Sequence, residues 1–123
     1  MLVLNRFTVP AEREAEFRAQ AETALEVLAA RSGYVSGELT RSLDEPDHWC
    51  LVTRWESVGA YRRALGHFDV RVHATPLLAQ SHSEPSAYET LAAAEPNRPV
   101  TVTASDRAEP DAPAASGVRR DRR

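Results

Sequence analysis

The chain has 123 residues, of which 42% are hydrophobic and 27% charged, and its formal net charge is −3. These values are ordinary for a globular protein, and the length allows one domain. All fifteen basic residues are arginines. Because those of residues 1–91 are scattered among acidic residues, the basic footprint of a nucleic-acid-binding or membrane-surface protein is absent.

Localisation and redox chemistry are constrained by what the sequence lacks. No apolar run approaches the roughly 20 residues that span a bilayer, and the first nine residues do not resemble a secretory signal. We therefore expect a cytoplasmic protein. Cys50 is the only cysteine, which excludes an intrachain disulfide and a cysteine-based metal cluster and favours a buried, inert thiol.

The composition changes after residue 91. The apolar periodicity stops at Ala92, and the following segment is rich in Ala, Pro, Asp, Glu and Arg. Such a segment cannot bury enough apolar surface to offset the entropy of ordering it. The sequence therefore predicts one domain over residues 1–91 and a disordered tail over residues 92–123.

The first two predicted elements are a strand and a long helix. Apolar residues alternate along residues 2–9 with the period of two of a strand, and this places Asn5 on the face that we expect to meet the helices. From about residue 11 to residue 31, apolar residues recur at helical spacing. Gly33 is well placed to end that helix in the left-handed conformation.

A hairpin and two short helices follow. Residues 34–43 and 48–56 are rich in β-branched and aromatic residues and flank a polar turn, which predicts paired strands. Ser57 fits the N-cap of a short helix that ends at Gly66. A second short helix is predicted to open at Asp69 and to present on one face Val70, His73, Ala74 and Leu77.

Residues 86–91 complete the order strand, helix, strand, strand, helical segment, strand. This order predicts an α+β domain, a ferredoxin-like antiparallel sheet with helices on one face. The bare face would carry Leu2 and Leu4, so a small domain gains by burying it against a second copy, and we expect a homodimer. Arg6 and Arg54 fall on the same face, where they could pair with acids across the dimer or bind an anionic substrate.

The sequence contains no phosphate loop, dinucleotide fingerprint, serine elbow or metal-spaced histidine pair. The candidates are therefore polar or aromatic residues inside apolar patterns. A buried, unpaired Asn5 amide would cost ~1 to 3 kcal/mol, so it needs a partner in the protein, in water or in a ligand. His73 could face a pocket between helix and sheet as a base or ligand, or be idle and exposed. Trp49 and Trp55 share one strand face, either as core or as a pocket wall.

Several segments together resemble the antibiotic biosynthesis monooxygenase domain. They are residues 4–10 (LNRFTVP), residues 33–34 (GY), residues 51–57 (LVTRWES) and residues 60–61 (AY). The resemblance extends over residues 2–91. It implies a dimeric α+β barrel in which each protomer holds a pocket between its helices and its sheet.

Members of that family oxidise polycyclic phenols to quinones with molecular oxygen and without metal or flavin. The resemblance thus implies a cofactor-independent monooxygenase that acts on a small aromatic or polyketide-like substrate. The protein's contribution would be to bind the substrate, stabilise its deprotonated form and exclude water. Asn5 is expected to be the orienting donor, Trp55 the pocket wall and His73 the proton acceptor.

Two other functions stay open. A related branch degrades haem with an asparagine on the first strand, a tryptophan on the second helix and an axial histidine. Asn5 and His73 match that pattern, with His73 as the axial ligand if haem binds, but Ala64 stands at the tryptophan position. The third possibility is a dimer that binds a small hydrophobic ligand without catalysis, because a fold does not determine a function.

Overall fold

The computed structural model describes residues 1–105, in which Met1–Thr90 form one unit and the residues from Leu91 onward belong to a second. The first unit is a four-stranded antiparallel sheet with helices on one face, which confirms the predicted α+β, ferredoxin-like fold. Its elements are β1 (Leu2–Thr8), a 3-10 turn (Ala11–Arg13), α1 (Glu14–Ala29), β2 (Tyr34–Arg41), β3 (His48–Trp55), α2 (Val58–Leu65), α3 (Phe68–His73), α4 (Thr75–Leu78) and β4 (Ala87–Tyr88).

The sheet has the strand order β2-β3-β1-β4, so the first strand lies in the middle. In the β1–β3 pair, Asn5 lies opposite Leu51 and Phe7 opposite Trp49. Alternation along each strand sends these side chains to the face that the helices cover. The predicted position of Asn5 on the helix-covered face is therefore confirmed, and its side chain is buried.

Helix α1 supplies the largest part of the cover. Its buried stripe consists of Phe17, Ala21, Ala24 and Leu28, at the helical spacing seen in the sequence. The ring of Phe17 packs edge-on against Phe7 at 5.0 Å and against Trp49 at 5.5 Å between centroids. Burying each such aromatic side chain stabilises the fold by about 1.5 to 3 kcal/mol.

The predicted helix boundaries are largely confirmed. The Ser57 hydroxyl accepts a hydrogen bond from the Ala60 N–H at 3.1 Å and caps α2, and Gly66 ends that helix. Gly33 adopts φ +88° shortly after α1. The last strand is shorter than the predicted residues 86–91, because only Ala87 and Tyr88 pair with β1.

The opposite face of the sheet carries none of the helices found within residues 1–105, and we call it the open face. Its apolar side chains on the two central strands, Leu2, Leu4 and Val52, are only partly buried. On this face Arg6 donates two hydrogen bonds of 2.7 Å to the Glu84 carboxylate. The bond from Arg6 lowers the pKa of Glu84. Arg6 thus pairs with an acid of its own chain, whereas the sequence predicted a pair across the dimer.

Part of the segment predicted to be disordered forms a hairpin. Ala92–Ala93 (β5) and Thr101–Val102 (β6) pair as two antiparallel strands. Asn97 lies in the connecting turn with φ 60°, a conformation that asparagine tolerates better than most residues. The sequence predicted disorder here, whereas the structure places these two short strands; residues 106–123 lie outside the described part of the chain. Within residues 1–105, no helix is long and apolar enough to cross a membrane.

Gly33 provides a test of the fold. A Cβ at this position would overlap the Cβ of Ala60, and the positive φ angle disfavours any other L-residue. We expect Gly33→Ala to lower the free energy of unfolding by about 2 to 4 kcal/mol in urea denaturation. Gly66→Ala is the matched control, because its Cβ would meet nothing closer than 3.6 Å. Equal stability of the two variants would contradict the close approach of α2 to residue 33.

Candidate functional site

A recess of about 430 Å³ lies between the inner face of β1 and helices α2, α3 and α4. We call it the Asn5 recess, and its volume lies within the range of small-molecule sites in proteins. It is lined by Asn5, Tyr61, Leu65, Arg71, Thr75, Leu78 and Ala79.

Helical spacing explains which side chains reach the Asn5 recess. On α2, Tyr61 and Leu65 are one turn apart and lie on the same side. Along α3 and α4, the buried stripe is Val70, Ala74 and Leu77. The residue after each of these lies about 100° further round the helix, toward the recess. Those residues are Arg71, Thr75 and Leu78.

The amide of Asn5 is the most unusual group in the recess. Its side chain is 9% exposed, and it makes no hydrogen bond to any residue among 1–105. Its polar atoms are not among the solvent-shielded, unbonded side-chain atoms of residues 1–105, so the recess leaves the amide some contact with solvent even though it lies between the buried Val3 and Phe7. Of the partners expected from the sequence, a neighbouring backbone group is therefore excluded within the described chain, which leaves water or a ligand.

Trp55 does not form a wall of the recess, contrary to the expectation from the sequence. It is 2% exposed, and its Nε1–H donates a 2.9 Å hydrogen bond to the Thr53 hydroxyl. Its ring packs against Tyr61 at 5.5 Å and against Tyr34 at 5.3 Å. Trp55 thus lies behind Tyr61 and supports it, while Tyr61 lines the recess. Burial raises the pKa of Tyr61, so at neutral pH its phenol is protonated and can donate a hydrogen bond.

His73 lies in a different place from Asn5. It is exposed and lines a second recess of about 340 Å³ between α1 and α3–α4, together with Gln20, Thr23 and Gln80. The expected position of His73 in a pocket between helix and sheet is wrong. The reason is the position of His73 around the helix. His73 comes one residue before the buried Ala74, whereas Arg71 comes one residue after the buried Val70, so the two side chains lie on opposite sides of the buried stripe.

The polar groups of the Asn5 recess share one property. The amide of Asn5, the phenol of Tyr61, the guanidinium of Arg71 and the hydroxyl of Thr75 can all donate hydrogen bonds. No acidic residue is among the lining residues that the structure describes. The recess is therefore suited to stabilise oxygen atoms that carry negative charge.

Sequence reasoning missed Arg71 and Thr75 and gave Tyr61 no role in a site. The sequence did contain a usable signal. Residues 71, 75 and 78 are spaced by four and three positions beside the apolar stripe, and this spacing places them on one side of the helices. Finding it required the exact register of two short helices, and a six-residue helix followed by a four-residue helix leaves that register ambiguous.

The described residues do not fit haem ligation. The haem-degrading pattern needs Asn5 and His73 in one cavity, and they line separate recesses. The chain has four histidines. All four lie within residues 1–105, and none of them lines the Asn5 recess.

The unpaired amide has a measurable consequence for stability. We expect Asn5→Leu to raise the free energy of unfolding by about 1 kcal/mol, because an unpaired polar group is replaced by an apolar one of similar size. The matched control is Thr53→Val, which removes the partner of the Trp55 indole and should lower stability by about 1 to 3 kcal/mol. Urea denaturation measures both. A loss of stability in Asn5→Leu as large as that in Thr53→Val would show that the amide is bonded within the protein.

Comparison with known proteins identifies the relatives of the chain. The family model of the antibiotic biosynthesis monooxygenases matches residues 1–74. The crystal structure of SnoaB, a cofactor-independent oxygenase from Streptomyces nogalater, is similar with 33% sequence identity and a TM-score of 0.59, over 73% of this chain and 94% of that one.

More distant structures show the same fold. A protein from Mycobacterium tuberculosis has 22% identity and a TM-score of 0.56, over 88% of this chain and 97% of that one. A conserved protein from Methanosarcina mazei has 16% identity and a TM-score of 0.58, over 70% and 84% respectively. The search among curated proteins finds no match. On the match to its family model, the chain belongs to the antibiotic biosynthesis monooxygenase family.

Proposed function

We propose that this protein is a cofactor-independent monooxygenase that oxidises a small aromatic, polyketide-like substrate with molecular oxygen. The observation that carries the proposal is the buried Asn5 amide, which lacks a partner among residues 1–105 and lines a recess of ligand size. Family membership and the likeness to SnoaB, itself a cofactor-independent oxygenase, support it.

The proposed reaction balances without a further reductant. A methylene group between two aromatic rings, as in an anthrone, loses both hydrogen atoms and becomes a carbonyl. One atom of O₂ enters the carbonyl and the other leaves as water with the two hydrogen atoms. The four electrons that O₂ accepts come from the two C–H bonds, so the substrate is the only reductant required.

The protein's role in this reaction is to favour the deprotonated substrate. Loss of a proton from the methylene group moves negative charge onto the substrate oxygen, as in an enolate. The donors of Asn5, Tyr61 and Arg71 would stabilise that oxygen and lower the pKa of the substrate. Because no carboxylate or imidazole lines the described recess, we assign the proton acceptor to water rather than to His73.

Oxygen consumption tests this function. With anthrone as substrate and the rate without protein subtracted, we expect Asn5→Ala to reduce kcat/KM by about 10²-fold, because a donor to the developing oxyanion is lost. His73→Ala should change it by less than about twofold, since the effect of a group outside the recess on bound substrate is small. Circular dichroism checks that both variants are folded. A large loss in His73→Ala with full activity in Asn5→Ala would reverse these assignments, and no turnover across a panel of anthrones would refute the proposal.

We further propose that the protein is a homodimer closed through the open face. The partly buried Leu2, Leu4 and Val52 are apolar groups that a second sheet would cover. The same face carries charges of both signs, which a two-fold axis can bring together. The dimeric barrel of the family resemblance agrees with this arrangement. The cytoplasmic location expected from the sequence stays a prediction.

The dimer is tested by placing a charge at its expected centre. We expect Leu4→Glu to give a monomer in sedimentation equilibrium at a concentration where the unmodified chain is dimeric, because the glutamate would be buried opposite its own copy. Leu43→Glu is the matched control, since Leu43 is 100% exposed in a turn away from this face. A Leu4→Glu variant that remains dimeric would place the interface elsewhere.

A further inference from the structure

Three side chains that are readily oxidised lie in one row through the protein. Trp55 on β3 packs against Tyr61 of α2, with 5.5 Å between ring centroids, and against Tyr34 of β2, with 5.3 Å between centroids. Tyr34 and Trp55 are register partners in the β2–β3 pair, which brings their rings together. Rings at these separations are in direct contact. We call these three side chains the aromatic row.

The two ends of the aromatic row meet solvent in different places. Tyr61 lines the Asn5 recess, whereas Trp55 and Tyr34 do not, and Tyr34 lies on β2, an edge strand of the sheet. The two tyrosine hydroxyls make no hydrogen bond to a residue among 1–105, and neither is among the solvent-shielded atoms there. Trp55 between them is 2% exposed. The row therefore connects the recess to a second point of solvent contact through a buried indole.

The hydroxyl of Tyr34 is not explained by packing. It contributes no hydrogen bond among the described residues, yet the neighbouring backbone leaves room for it, because a Cβ at Gly37 would lie 2.5 Å from this oxygen. A phenylalanine at position 34 would place its ring against Trp55 without needing that space. The oxygen distinguishes the two residues chemically, since a phenol loses an electron and a proton far more easily than a benzene ring.

The hydrogen bonds of the aromatic row favour movement of an electron along it. An oxidised phenol releases its proton at once, and the solvent contact of Tyr34 and Tyr61 provides an acceptor. The indole N–H of Trp55 instead donates to the Thr53 hydroxyl at 2.9 Å, and a neutral hydroxyl is a poor proton acceptor. Oxidised Trp55 therefore keeps its proton and remains oxidising enough to take an electron from Tyr34.

We propose that the aromatic row carries oxidising equivalents from the Asn5 recess to solvent at Tyr34 and so protects the recess from radical damage. The inference rests on the proposed function for the source of the oxidant, a peroxyl radical of the aromatic substrate. It adds a second activity, electron transfer, to the protein.

Atoms and electrons balance along the aromatic row. The peroxyl radical takes the hydrogen atom of the Tyr61 phenol and becomes a hydroperoxide. Tyr61 then regains an electron from Trp55 and a proton from water in the recess. Trp55 regains its electron from Tyr34, which releases its phenol proton to solvent. A soluble reductant such as ascorbate returns a hydrogen atom to Tyr34, so the net transfer is one hydrogen atom from ascorbate to the peroxyl radical.

Residue-resolved oxidation tests the relay with an oxidant supplied from outside. Peroxyl radicals generated in solution by a water-soluble azo initiator can reach Tyr34 and Tyr61 but not the buried Trp55, so damage at Trp55 reports electron transfer. We expect Tyr34→Phe to raise the yield of oxidised Trp55 severalfold in peptide mass spectrometry, because the radical can no longer leave the row. An unchanged yield at Trp55 would overturn the relay.

The chain offers two controls for this measurement. Tyr88→Phe removes a tyrosine that is 46% exposed and lies outside the aromatic row, and it should leave oxidation of Trp55 unchanged. Trp49 is 5% exposed, and its ring contacts Phe17 and Arg41 rather than a tyrosine. Its oxidation should be the same in both variants and in the unmodified protein. An equal rise at Trp55 in the two variants would contradict the relay.

Trp55→Phe distinguishes electron transfer from a loosened fold. Without the indole, a radical formed at Tyr61 stays there, so oxidation of Tyr61 should rise while that of Tyr34 falls. A loosened fold would expose both tyrosines and raise both yields. A rise at both tyrosines, or a change at neither, would overturn the relay.

The outcomes separate this inference from the proposed function. Because the radicals are supplied from outside, none of these measurements requires turnover of a substrate. Failure of the relay is compatible with oxygen consumption on anthrones. A protein that consumes no oxygen with any anthrone, but shows the opposite changes at Tyr61 and Tyr34, would support electron transfer while refuting the oxygenase.

Discussion

The position of one amide on the inner face of β1 is the constraint on which the candidate site depends. Strand alternation places Asn5 opposite Leu51, in the face of the sheet that forms the core. A leucine there would cost nothing in desolvation, whereas an unpaired amide costs ~1 to 3 kcal/mol. The recess beside it relieves that cost by giving the amide access to water or to a ligand.

The two short helices after α2 decide what else reaches that amide. The buried stripe fixes the rotation of these helices against the sheet. That rotation determines which of the two recesses each remaining side chain lines. Arg71 and Thr75 fall on the side of Asn5, while His73 falls on the side of α1. A rotation of about 100° would turn one of these two sets toward the core in place of the present stripe. The chemistry of the site is thus set by packing at Val70 and Ala74, which are both fully buried.

The sequence predicted the fold, and of the candidate site it predicted the position of Asn5 but not those of Trp55 and His73. Alternation along the strands and the long helical stripe predicted the order of the elements and the inward direction of Asn5, because each of these signals repeats over several residues. The cap at Ser57 was predicted from a single residue type that favours this position. His73 was misplaced because a short helix offers only one or two buried positions from which to read its rotation. The 92–102 hairpin was missed because its strands have two residues each, too few for a periodic signal.

The composition of the recess limits the chemistry that it can perform. Its polar groups donate hydrogen bonds, and the pKa of Tyr61 is raised by burial, so the residues described offer donors and no strong base. Such a site cannot deprotonate a weakly acidic substrate, but it can lower the pKa of a substrate that is already acidic. The proposed reaction would therefore have to begin with a compound whose C–H bond is already activated by flanking rings and a carbonyl. This requirement is met by electron-rich aromatic ketones, which also react with O₂ without a protein cofactor.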